Sequence, residues 1–107
     1  MVIVHEVRVN NIPAVLEYKI GKYAADNTKL IQNSSPQDIW FHMENSASAH
    51  VVISTTFTLN KKQLNTVIRW GGILCKKYSH VTKPACIMYT KIENVNIIVS
   101  RSNSKTR

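Results

Sequence analysis

Five side chains in this chain of 107 residues have types and spacing that could do chemistry: Asp38, Trp40, His42, Ser48 and His50. Two imidazoles and a carboxylate are ligands that zinc accepts. Asp38, however, stands four positions before His42, about 12 Å along a strand, so it does not share a metal readily with both histidines. A metal-dependent hydrolase would use His42 and His50 as acid and base, with Ser48 or an activated water as nucleophile. No G-x-S-x-G elbow, phosphate-binding P-loop or carboxylate pair accompanies them, and a chain with six acidic residues is poor material for a two-metal nuclease. The third chemistry is recognition. Trp40 offers a plane on which a nucleic-acid base can stack, and His42 and His50 can bond phosphate or base edges. Lys22, placed after Gly21, can set its charge beside a backbone amide, a common way of holding phosphate.

Such a set needs elements to position it. Residues 38–43 alternate, so Asp38, Trp40 and His42 share one face of a strand and Ile39, Phe41 and Met43 share the other. A polar loop from Glu44 to Ser48 and the apolar run Ala49–Ile53 complete a hairpin. If it closes symmetrically, His42 lies opposite His50 and Trp40 opposite Val52. Periodicity leaves two readings for Trp40: an exposed platform, or the centre of a second small core behind the sheet.

The remaining elements follow from pattern. Val2–Val9 and Ala14–Ile20 read as strands around an Asn10-Asn11-Ile12-Pro13 turn, and a short helix is expected over about 23–31. Asn60 is a good N-cap for a long helix, about 60–79, whose apolar face runs through Leu64, Val67, Ile68, Gly71, Leu74, Cys75 and Tyr78. Gly71-Gly72 costs about 1 kcal/mol per glycine in a helix interior, which suggests close packing or a kink. Strands are expected at Cys86–Ile92 and Val95–Val99, joined through Glu93-Asn94. The fold class is therefore α+β: a mostly antiparallel sheet, the long helix packed on one face, and a short helix. One domain is expected over residues 1–100, with residues 101–107 a basic disordered tail.

Charge narrows the partner. Fourteen Lys and Arg face six Asp and Glu, a formal +8, which favours a polyanion. Lys76 and Lys77 are candidate charge contacts. Cys75 and Cys86 form no close pair, so no zinc knuckle is expected and both should be structural thiols. No apolar run of membrane-spanning length and no secretory signal pattern is visible, so the expectation is a cytoplasmic protein with no membrane partner.

The residues also carry a resemblance. Gly21-Lys22, then Asp26-Asn27 and Leu30, then Asp38-Ile39-Trp40-Phe41-His42 and Ser48-Ala49-His50-Val51, together resemble the NFACT RNA-binding domain, NFACT-R. Tyr78-Ser79 and Tyr89-Thr90 fall where that family has Tyr-Ser and Tyr-Thr. Asn45–Ala47 stands where the family usually has Pro-Gly, and its usual glycine near Val95–Val99 is missing. The resemblance implies nucleic-acid binding without catalysis, no cofactor, and a role for Gly21, Asn27, Asp38, Trp40, His42, Ser48 and His50. In larger relatives the domain belongs to ribosome quality-control factors. The expected partner is structured RNA, tRNA or rRNA, possible partners being DNA and the ribosome; the oligomeric state is left open. The alternatives are a DNA-binding or nucleic-acid-sensing module and the metal-dependent hydrolase. The RNA reading predicts that replacing Trp40 and His42 by alanine weakens binding and leaves thermal unfolding nearly unchanged.

Overall fold

A computed structural model describes residues 2–44, 48–54, 58–80 and 86–95. Five strands form one antiparallel sheet in the order β1-β2-β4-β3-β5, where β1 is Ile3–Val7, β2 Leu16–Gly21, β3 Ile39–Met43, β4 His50–Ile53 and β5 Ile87–Lys91. Two helices complete it: α1, Ala24–Gln32, and α2, Lys61–Tyr78. This is the expected α+β class. The hairpin has the expected register, with Trp40 opposite Val52 and Phe41 opposite Val51.

Period-two alternation decides what each face holds. Tyr18, Ile20, Ile39, Phe41, Met43, Val51 and Ile53 point towards α2 and form the main core with Val67, Leu74 and Cys75. A capping box between Asn60 and Gln63 starts α2, each side chain bonding the other residue's backbone N–H. The glycine pair divides into two roles. A Cβ on Gly71 would overlap the Phe41 ring, so the helix approaches the sheet there because no side chain intervenes. A Cβ on Gly72 would meet Ile87 at an ordinary 3.8 Å. Tyr18 closes the same core by donating its hydroxyl to the Val67 carbonyl at 2.7 Å, and burial pushes its pKa well up.

The opposite face is only partly covered. Leu30 of α1 packs there with Trp40, Val52 and Val95 in a second small cluster. Trp40 is therefore core, with 2% of its surface exposed, and its ring is closed to a stacking base. Trp40→Ala should cost about 3–5 kcal/mol, so the expectation of unchanged unfolding fails.

Other boundaries shift. Cys86 lies exposed just before β5 rather than inside it, whereas Cys75 is buried on α2. Glu93-Asn94 belongs to a 3-10 turn, and Val95 follows it in helical backbone rather than opening a strand. Residues 96–99 of the expected last strand, residues 101–107 of the expected tail and the Asn45–Ala47 loop tip lie outside the described residues. Among the described residues no helix is long and apolar enough to cross a membrane.

Candidate functional site

At one end of the sheet the last residue of β2, the first of β4 and the second half of β3 come together. There the N-terminal end of α1 and the C-terminal end of α2 flank an open pocket of about 570 Å³. Lys22, Tyr23, Ala24, Asn27, His42, Ser48, Ala49, His50, Tyr78, Ser79 and His80 line it. Lys22, Asn27, His42, Ser48 and His50, five of the residues singled out in the sequence, thus meet in one place. Gly21 lies beneath them, since a Cβ there would strike Asn27 Oδ1 and backbone. That contact explains the Gly21–Asn27 combination: the glycine lets α1 begin directly over the sheet.

Asp38 and Trp40 do not line this pocket. The buried Asp38 carboxylate accepts from Ser35 N at 2.9 Å and Ser54 Oγ at 3.1 Å, which fixes the turn into β3. It borders a different cavity, of about 550 Å³, on the uncovered side of β2. Neither Lys76 nor Lys77 lines the candidate site: Lys76 is half-buried, and the exposed Lys77 places its Nζ 5.7 Å from the centre of the ring of Tyr78, which does line it.

The two histidines and Trp40 form a ring cluster behind the pocket. The Trp40 and His42 rings stack with centroids 5.4 Å apart and planes 9° from parallel. His50 stands edge-on to both, 5.4 Å from Trp40 and 4.7 Å from His42. The indole N–H of Trp40 donates to His50 Nδ1 at 3.0 Å. An indole nitrogen can only donate, so His50 Nδ1 carries a lone pair and the ring proton of neutral His50 sits on Nε2. Burial, and then His42 alongside, push the His50 pKa down to about 4. Burial also lowers His42, with the Met43 backbone acting in the opposite sense. Both rings are therefore uncharged near neutrality.

Some groups are already engaged. Ser48 Oγ accepts from Met43 N at 3.1 Å and donates to the Ala49 carbonyl at 3.0 Å, so this hydroxyl closes the hairpin. Ser79 Oγ accepts from Ala49 N at 2.9 Å and donates to the Cys75 carbonyl at 2.7 Å, tying the end of α2 to the start of β4. The Tyr78 hydroxyl meets His5 Nδ1 at 3.1 Å. Others are not. Asn27 Oδ1 and His42 Nδ1 are buried with no hydrogen-bond partner, the two such side-chain atoms among the described residues, and both residues line this pocket. Buried polar atoms without partners are uncommon and mark places where a ligand or solvent completes the structure.

Two further residues escaped the sequence reading. Tyr23 is 69% exposed on the pocket rim, so it offers the aromatic surface expected of Trp40. Its place directly after Lys22 was the available signal. His80 has φ 55°, a left-handed conformation that glycine usually takes just past a helix end. No local signal brings His80 to Lys22, because their meeting depends on how α1 and α2 pack on the sheet. Among the described residues no group of three or more His, Cys, Asp or Glu is arranged to hold a metal ion.

The geometry can be set beside known proteins. The chain is similar to coiled-coil domain-containing protein 25. It is 31% identical to the Bos taurus protein over 80 residues, which is 74% of this chain, and the same figures hold for the Mus musculus protein. The aligned part is 35% of each relative, so the chain spans about a third of their length. No family model matches.

Proposed function

We propose that this chain is a non-catalytic, NFACT-R-type nucleic-acid-binding domain whose ligand is structured RNA, tRNA or rRNA, and that the pocket between α1 and the end of α2 is its contact site. The observation that carries this reading is the convergence of Lys22, His50, His80 and the exposed Tyr23 on one open pocket of a chain with a formal charge of +8. Lys22 and Lys77 supply charge to phosphates, the imidazoles supply neutral donors, and Tyr23 takes over base stacking from the buried Trp40. Stacking of this kind is worth about 1–3 kcal/mol per base, enough to orient an unpaired nucleotide at the rim. The ribosome, as a source of structured RNA, belongs to the same proposal.

Competition between tRNA, duplex RNA and duplex DNA at one salt concentration tests the proposal. Preference for tRNA over both duplexes supports it, while equal or tighter binding of duplex DNA replaces it with a DNA-binding module. Affinity should fall steeply with salt, and Lys22→Ala should reduce the slope of log K against log salt by about one.

A further inference from the structure

We propose that Trp40 is a positioning residue for the pocket: it holds His50 as a neutral Nε2–H donor to a phosphoryl oxygen of the bound ligand. The hydrogen bond from Trp40 Nε1 to His50 Nδ1, 3.0 Å long, occupies the only ring nitrogen of His50 that faces the indole. The proton of His50 is then on Nε2, for which no protein partner is found among the described residues, and His50 lines the open pocket. Trp40 is itself immobilised: it is packed with Leu30, Val52 and Val95 on one side and stacked on His42 at 5.4 Å. Moving the His50 proton to Nδ1 would set two N–H groups against each other and leave a buried indole donor without an acceptor. Protonating both nitrogens meets the same conflict, so Trp40 opposes a charge on His50 in the same sense as its burial does.

What such a group recognises follows from its chemistry. A neutral imidazole locked in this form donates through Nε2 and offers no lone pair to a cation, so it suits an acceptor-only oxygen. Lys22 in the same pocket supplies positive charge, which selects an oxygen that is anionic. A phosphoryl oxygen meets both requirements, whether it belongs to a chain phosphate or to a terminal one. The arrangement disfavours metal binding by His50, because one nitrogen is bonded to the indole and the other is protonated. The ligand class rests on the RNA reading above, whereas the tautomer of His50 does not.

The test is nitrogen-15 NMR of the histidine rings in the full chain near pH 7, followed by titration with inorganic phosphate. His50 should show one tautomer, protonated at Nε2, and phosphate should shift that nitrogen. Trp40→Phe, which keeps most of the ring volume, should give mixed tautomers and raise the pH at which His50 titrates. His50→Gln keeps a donor and should retain phosphate and RNA binding, while His50→Leu should lose about tenfold in affinity. The same RNA oligonucleotide with and without a 5′-phosphate separates a terminal from a chain phosphate. A wild-type His50 protonated at Nδ1 or in mixed tautomers overturns the proposal, as does a His50 ring unmoved by phosphate. An unchanged tautomer in Trp40→Phe also overturns it. Should that variant fail to fold, the wild-type spectrum and the Gln and Leu pair still decide. Phosphate binding at His50 without RNA binding would uphold this inference and remove the RNA reading, and RNA binding that bypasses His50 would do the reverse.

Discussion

The two faces of the sheet bury their side chains in different ways. On the α2 face, Phe41, Val51 and Tyr18 are fully covered, and the helix comes close enough that Gly71 has no room for a side chain. On the other face, α1 covers only the middle, where its Leu30 packs on Trp40 and Val52. The cover ends where Gly21, His50 and His42 begin, and there polar atoms lie buried without partners beside an open pocket. A closed face holds the fold together, and a partly covered one leaves room for a ligand. Trp40 joins the two functions, since its ring is core and its N–H donates to His50, which lines the pocket.

Variants can break this comparison in order of size. Trp40→Ala removes the centre of the smaller cluster and should cost about 3–5 kcal/mol, read as a fall in the denaturant midpoint. A loss under 1 kcal/mol would mean that the second face has no real core. Gly71→Ala forces a methyl into the Phe41 ring and should cost about 1–3 kcal/mol, as overpacking does. Together these two variants test whether both faces contribute to stability.

Acid probes the site face alone. The His50 pKa is depressed to about 4 in the folded chain, against an ordinary 6.5, so the unfolded chain binds a proton that the folded one refuses. Stability should therefore fall as pH drops from about 6.5 towards 4, and be fully present above that window. The loss should be on the order of 2 kcal/mol, because the ring keeps some solvent screening. Thermal melts of the wild type against His50→Gln check this, with a shallower pH dependence expected in the variant. Gly72→Ala is the smallest change: its Cβ fits against Ile87, so removing a helical glycine should stabilise by about 1 kcal/mol.

Much of this was legible in the sequence because it depends on short-range pattern. The alternation of residues 38–43 gave the two faces of the hairpin, symmetric closure of its loop gave the register, and the three- and four-residue spacing from Leu64 to Tyr78 gave the face of α2. Lys22, His42, Ser48 and His50 were singled out from their residue types and positions and Asn27 from the family resemblance, and they do converge. What was not legible depends on tertiary packing. Alternation tells which side of a strand Trp40 takes, but only the placement of Leu30 and Val95 shows that this side is covered. Asp38 shares that side, yet it stands at the opposite end of the strand, where it caps a turn. Tyr23 and His80 enter the site only because the start of one helix meets the end of the other.

The most direct test of the central claim is an amide and side-chain NMR titration of the labelled chain with tRNA at moderate salt. The account predicts that the largest shifts fall on Lys22, Tyr23, Asn27, His42, His50 and His80, with little change on Arg69 or on the uncovered side of β2. Shifts spread evenly over the exposed lysines of α2, with the pocket unmoved, would contradict it.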